Sequence, residues 1–341
     1  MRRRMLALAA VLLVVAATSA WPWGHRVHRI VNARAVELLP EPLRAFYARH
    51  VDYLATHSVD PDLWAEDKTW PGYTHFIDLD LLDNAPFANI PVTWEAASAR
   101  YGEARLQKAG TLPWEIARRK DDLTAALREK RWADAVKQSA WIAHFLADAT
   151  MPLHTTKDYL GRDAGNIVLE ERGPNRSVHH RLEWGLSEAF PEEYGRVRGS
   201  ATEVRHLDDV LAESWRTVHH SYTLIPRVLA ADKSAAGVDD TFGPTYYAAL
   251  DRAMRPLVEA QMRRSQELVA SVWLTAWEDA GRPEPPAGVV IAEVTPETPP
   301  ERGASPRRSW PMLLPVGLAA LLVFLWVLVR TVRDRRGRRP R

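Results

Sequence analysis

The sequence predicts an all-α domain, and three features of residues 21–280 support this fold class. Apolar side chains recur at spacings of three and four, as in Val136, Ala140, Ala143 and Ala147, which is the period of a helix with one buried face. Sustained alternation of apolar and polar residues, typical of strands, is hard to find. Prolines separate the apolar stretches at intervals that suit helix ends. Together these features favour a single multi-helix domain of roughly 250 residues, a size that one core can support.

Residues 1–20 predict a secretory signal peptide. Three arginines at positions 2–4 precede an apolar run over residues 5–17, and small residues end the segment at Ala20. This order is typical of a cleaved signal and too short for a membrane span. The mature chain is therefore expected to begin at Trp21.

The other end of the chain predicts a membrane anchor. Residues 310–329 carry no charge and are long enough for one transmembrane helix. Residues 330–341 contain seven arginines, which places this tail in the cytoplasm by the positive-inside rule. The domain is then expected to be extracytoplasmic, either periplasmic or extracellular, and tethered to the membrane.

Residues 281–309 are rich in proline and predict an extended, unpacked stalk between domain and anchor.

The net charge of the domain differs in sign from that of the whole chain, because both ends of the chain are basic. The whole chain has a formal charge of +2, and removing the +3 of residues 1–20 and the +6 of residues 281–341 leaves −7. An acidic domain argues against nucleic-acid binding through basic patches alone. Cysteine is absent, so stability depends on the core and on any bound metal.

The most informative stretch lies between Ala140 and His154. His144 and Asp148 are four residues apart and share one face of a helix. Pro152 ends that helix and allows His154 to turn back toward the same face. The face is otherwise apolar, where an unpaired polar group costs roughly 2–7 kcal/mol and a charge costs more, and a metal ion would remove that cost. The alternative is a buried His144–Asp148 ion pair with His154 in an ordinary loop.

Other histidines also lie at helical or loop spacings from carboxylates. His179 and Glu183 repeat the four-residue spacing, and Asp60 and His75 form a further pair. The start of the mature chain adds Trp21, Trp23, His25 and His28. Imidazole and carboxylate are the ligands that zinc accepts where thiolates are lacking. The sequence therefore predicts a cluster of metal ions.

These residues resemble one family, the zinc-dependent phospholipase C and single-strand nuclease superfamily, over roughly residues 21–280. Its members have an N-terminal Trp near a His, and an Asp followed about fifteen residues later by a His. They also have the core H-x-x-x-D-x-x-x-P-L-H and a final H-x-x-x-E or H-x-x-x-D. The spacing of Asp60 and His75 fits the second feature. The core is matched by His144, Asp148 and His154, and the last pair by His179 and Glu183.

The resemblance implies an all-α fold that binds two to three zinc ions. It assigns one ion to Asp60, His75, His144 and Asp148, and a second ion to His154, His179 and Glu183. A third ion would be held by the free amine and carbonyl of Trp21, by His28 and by a bridging Asp148. His25 is the alternative to His28, and an altered third site is the other alternative.

The resemblance also implies hydrolysis of phosphodiesters by a zinc-activated water, with Asp60 as the residue that orients or deprotonates that water. Glu183 and the membrane tether favour a phospholipase C that acts on phospholipid. Leu63 stands where the nucleases tend to have a basic residue. The first alternative is a single-strand nuclease or 3'-nucleotidase acting on nucleotides or nucleic acid, and the second is a non-catalytic metal-binding ectodomain.

Overall fold

The structure is a computed structural model that describes residues 24–168, 177–291 and 296–300. Within these ranges the regular structure is helical and no strand occurs, which confirms the all-α prediction. The α-helices are α1 (His25–Leu38), α2 (Leu43–Ala48), α3 (Val51–His57), α4 (Asp60–Glu66), α5 (Leu79–Leu82), α6 (Trp94–Tyr101), α7 (Glu103–Ala109), α8 (Leu112–Arg128), α9 (Trp132–Thr150), α10 (Val178–His180), α11 (Leu186–Ala189), α12 (Pro191–Gly195), α13 (Val210–Thr223), α14 (Ile225–Ala236) and α15 (Pro244–Asp279). Short 3-10 helices lie at Gly72–Thr74, Pro152–Thr155 and Ala201–Glu203, and a π-helix lies at Arg181–Gly185.

Helix α9 is the centre of the core. Every residue from Ser139 to Thr150 is buried, and the helix packs against α1, α3, α8, α13 and α15. A helix that is apolar on most sides is stable only where neighbours cover it. The polar side chains on α9 are therefore carried into the interior, where water does not solvate them.

The C-terminal end of α9 is held by two neighbouring helices. The Ser221 hydroxyl of α13 donates to the carbonyl of Ala149 at 2.8 Å, and the Gln261 amide of α15 donates to the carbonyl of Thr150. The last carbonyls of a helix have no partner within the helix, so these side chains satisfy them in the buried interior. The last turn of α9 is thereby fixed in place.

The chain remains packed beyond the end of α15. The compact unit that contains the helices extends to Glu297. Trp277 Nε1 donates to the carbonyl of Pro283 at 2.9 Å, and Glu297 is only 7 % exposed. The predicted stalk is therefore not an unpacked spacer at these residues. Proline prevents regular helix there, but its carbonyl still accepts hydrogen bonds from the domain.

Several predicted segments lie outside the described residues. They are the signal peptide, Trp21, the transmembrane helix at residues 310–329 and the basic tail, and they stay predictions. Among the helices that the structure does describe, none has the length and apolar character needed to span a bilayer.

Candidate metal centre

His144 and Asp148 lie one turn apart on α9, and both are fully buried. His144 Nε2 is 3.2 Å from Asp148 Oδ2. His144 Nδ1 donates to the carbonyl of Ser58 at 2.8 Å, which orients the ring and leaves Nε2 to face the carboxylate. In metal-binding histidines, a hydrogen bond from the ring nitrogen that does not bind the metal fixes the tautomer in this way.

The turn after α9 brings His154 back to Asp148, as the sequence predicted. Met151 N bonds to the carbonyl of Asp148 at 3.0 Å, and the 3-10 helix Pro152–Thr155 follows directly. The carbonyl of His154 accepts from Ile77 N at 2.9 Å. As a result His154 Nδ1 lies 3.6 Å from Asp148 Oδ1.

The first of three groups that could hold a metal ion consists of His28, His144 and Asp148. His28, from α1, places Nε2 at 3.6 Å from Asp148 Oδ1. Its ring stacks on that of His144, with centroids 4.0 Å apart. His28 therefore lies beside Asp148, the carboxylate with which the resemblance groups it.

The second group consists of Asp62, His75 and His144. Asp62 Oδ1 is 3.4 Å from His144 Nε2 and 3.7 Å from His75 Nδ1. His75 Nδ1 is also 3.2 Å from Asp148 Oδ2. This group thus shares His144 with the first and lies against the same Asp148.

Asp60, predicted as a ligand and as the base, lies outside all three groups. Its Oδ2 accepts from His57 Nδ1 at 2.8 Å and from Trp141 Nε1 at 3.3 Å. Successive helix residues are about 100° apart around the axis, so Asp60 and Asp62 point to different sides of α4. The structure corrects the prediction, because Asp62 and not Asp60 faces His75 and His144.

The third group consists of His154, His179 and Glu183. Glu183 Oε1 lies 3.0 Å from His154 Nε2 and 2.9 Å from His179 Nε2. Ser177 caps the start of α10 by accepting from His180 N at 3.3 Å. The predicted pairing of His179 with Glu183 is thus present, although Glu183 lies on the π-helix that continues α10.

A buried ion pair holds the third group in place. Arg181, between the two ligands, is fully buried. Its Nε donates to Asp232 Oδ1 at 2.8 Å, and its Nη2 donates to Asp232 Oδ2 at 2.8 Å. Tyr246 also donates to Asp232, at 2.6 Å. Charge-assisted bonds to both carboxylate oxygens are specific in geometry, so α14 and α15 fix the segment that carries His179 and Glu183.

Many ligand atoms of the three groups are buried without a hydrogen-bond partner. They include both carboxylate oxygens of Asp62 and of Glu183, and one oxygen of Asp148. Buried polar atoms are nearly always hydrogen-bonded. The orphaned oxygens and the facing imidazole nitrogens therefore have the arrangement expected of ligands that converge on cations, and they fit a metal ion.

The pKa values of the third group reflect burial without a cation. Burial raises the pKa of Glu183 to about 8, although His154 opposes the shift. Burial also lowers the pKa of His179 to about 4. In the absence of a positive ion, both groups are therefore mostly neutral near pH 7.

Around α9 the carboxylates dominate instead. Burial by itself lowers the pKa of His144, but the charges of Asp148 and Asp62 outweigh it and raise the pKa to about 10. His144 and His154 hold the pKa of Asp148 well below its usual range, although burial opposes this shift. A proton on His144 thus balances the two carboxylates, a role that a bound cation would take over.

The start of α1 lies directly against the third group. Gly24 N donates to the carbonyl of Glu183 at 3.3 Å. A Cβ on Gly24 would lie 3.0 Å from that carbonyl oxygen and 3.1 Å from Trp184 Cγ, so glycine permits the close approach. His25, the alternative to His28, lies beside Trp184 and belongs to none of the three groups.

One candidate metal ligand, Asp62, was missed from the sequence. Asp62 stands two residues after Asp60 in the run Asp60–Pro61–Asp62, and only the direction of each side chain on α4 distinguishes the two carboxylates. Trp21 lies outside the described residues, so its assignment stays a prediction. No protein-family model matches the chain, and no curated protein shows significant similarity to it.

Proposed function

We propose that this domain is a zinc-dependent phosphodiester hydrolase of the phospholipase C type. One observation carries the proposal: three buried groups of imidazoles and carboxylates share His144 or lie against Asp148, with orphaned ligand atoms. Mixed nitrogen and oxygen ligands suit zinc, whereas calcium and magnesium sites use oxygen ligands. The absence of cysteine from the chain excludes thiolate ligands.

The residues have distinct roles in this proposal. Bound divalent ions would polarise a phosphoryl oxygen, lower the pKa of a water and neutralise charge on the leaving oxygen. Asp148, within 3.6 Å of four imidazoles, would hold two ligand groups together. Asp62, whose two oxygens accept no hydrogen bond, is the carboxylate able to orient the attacking water and accept its proton. It takes the role that the sequence predicted for Asp60.

Three features favour a phospholipid over nucleic acid as substrate. Glu183 is the carboxylate that resembles the phospholipases, and the predicted tether would keep the domain near a bilayer. The formal charge over residues 21–280 is −7, so the domain as a whole does not attract a polynucleotide. Contacts between basic side chains and backbone phosphates dominate the affinity of most nucleic-acid-binding proteins.

Assays on three phosphodiesters test the proposal. The purified chain is incubated with phosphatidylcholine vesicles, single-stranded DNA and a small chromogenic phosphodiester, with and without chelator. We expect hydrolysis of phosphatidylcholine that chelator abolishes and zinc restores. His154→Asn should lose this activity, whereas His206→Asn, a change at an exposed histidine paired with Asp279, should retain it.

Two outcomes would contradict the proposal. Faster zinc-dependent cleavage of single-stranded DNA than of phosphatidylcholine would identify the nuclease alternative. Binding of zinc without turnover of any of the three substrates would identify the non-catalytic alternative.

A further inference from the structure

Glu297 lies in the predicted stalk, and all its polar groups are bonded to the domain. Its carbonyl accepts from Trp64 Nε1. Its carboxylate accepts from the Tyr53 hydroxyl at 2.8 Å and from Lys137 Nζ at 2.9 Å. Its backbone N–H donates to Asp60 Oδ2 at 3.2 Å. These partners come from α3, α4 and α9, so one residue joins three helices.

Residues 286–291 also lie on the domain surface. Arg49 donates to the carbonyl of Pro286 at 3.1 Å, and Val289 and Ile291 pack against the core while Val290 is 96 % exposed. Alternation between packed and exposed side chains is typical of an extended segment lying on a surface. Glu297 is therefore not an isolated contact.

The contacts of Glu297 lead directly to the metal centre. Asp60 Oδ2 receives three donors, from His57, Trp141 and Glu297. Asp60 begins α4, which carries Asp62. Trp141 lies on α9, one turn before His144. The rings of Trp64 and Trp141 pack edge to face with centroids 5.0 Å apart, so the two helices meet where Glu297 bonds.

We infer that Glu297 is a positioning residue for the metal centre, holding α4 against α9 so that Asp62 faces His75 and His144. The inference rests on the proposed metal-dependent function. Replacement of Glu297 by alanine removes the carboxylate that accepts from Tyr53 and Lys137 and leaves Lys137 facing the gap with an unpaired charge. The backbone groups that bond Asp60 and Trp64 remain in this variant, but the carboxylate no longer anchors them. Mutation of residues that hydrogen-bond to metal ligands commonly lowers metal affinity by 10- to 100-fold. Because Glu297 acts through Asp60 and α4, we expect a loss of about 10-fold.

The test compares full-length variants in zinc titrations against a competing chromogenic chelator. Glu297→Ala should lower the affinity for one zinc ion by about 10-fold and leave the affinities for the other ions unchanged. Tyr53→Phe removes the hydrogen bond from the Tyr53 hydroxyl to the same carboxylate and keeps the aromatic ring, and it should weaken the affinity for the same ion by a smaller factor. Glu284→Ala, a change at an exposed glutamate of the same segment, should have no effect.

A second readout separates positioning from general stability. Melting temperatures of the chelated proteins report the contribution of Glu297 to the fold without metal. Lower melting temperatures for Glu297→Ala with zinc affinities equal to the parent chain would overturn the inference and leave the proposed function intact. A parent chain that binds no zinc would instead overturn the proposed function itself, and the inference with it.

Discussion

Replacement of Asp148 by asparagine is expected to remove at least one bound zinc ion per chain and to lower phosphodiester hydrolysis by roughly 100-fold or more. Mutation of residues that only hydrogen-bond to metal ligands already costs up to about 100-fold. Asp148 lies 3.2 Å from both His75 and His144, and 3.6 Å from both His28 and His154. Asparagine preserves the shape of the side chain but removes the charge on which these imidazoles converge. The effect should therefore extend over more than one ligand group.

Glu183→Gln is the matched comparison for this variant. The Glu183 carboxylate lies against the imidazoles of the third group, His154 and His179, so its replacement should weaken the binding of one ion and spare the others. Asp134→Asn, at an exposed position on the same helix as Asp148, should change neither metal content nor activity. Equal metal content in the Asp148 and Glu183 variants, measured after dialysis against the same free zinc concentration, would contradict the bridging role of Asp148.

Removal of metal is expected to lower the melting temperature on the order of 10 °C. Ligand bound at 1,000 times its dissociation constant stabilises the folded state by about 4 kcal/mol, and about 1 kcal/mol shifts the melting temperature by roughly 2–4 °C in a domain of this size. The chain has a specific reason for this linkage. Asp62, Asp148 and Glu183 are fully or almost fully buried. Without a cation Glu183 takes up a proton near pH 7 and the charges of Asp62 and Asp148 depend on a protonated His144, so the metal-free centre is less well compensated than the metal-bound one.

Scanning calorimetry before and after exhaustive chelation measures this shift. Zinc added back should restore the original transition. The Asp148→Asn protein should show a smaller change on chelation, since it holds fewer ions at the start. A melting temperature that chelation leaves unchanged in the parent chain would show that its stability does not depend on a metal ion.

The sequence predicted the centre of the fold well because α9 obeys local rules. Apolar spacing identifies the helix, the four-residue spacing places His144 and Asp148 on one face, and Pro152 ends the helix before His154. Each of these rules depends on neighbours along the chain. The third group was predictable for the same reason, because His179 and Glu183 are also four residues apart.

The errors arose where the outcome depended on distant parts of the chain. Asp60 and Asp62 both lie in the first turn of α4, and the choice between them is decided by His57 and Trp141 on one side and by His75 and His144 on the other. The packing of Glu297 likewise depends on α3, α4 and α9, which lie far away in sequence. Proline content indicates that a segment lacks regular helix but does not indicate whether it contacts the domain.

Elemental mass spectrometry of the purified chain tests the central claim most directly. After loading with zinc and removal of free metal, we expect two to three zinc ions per chain, and fewer in the Asp148→Asn variant. Less than one tightly bound ion per chain, in protein shown to be folded, would contradict the claim that the three buried groups form a metal centre.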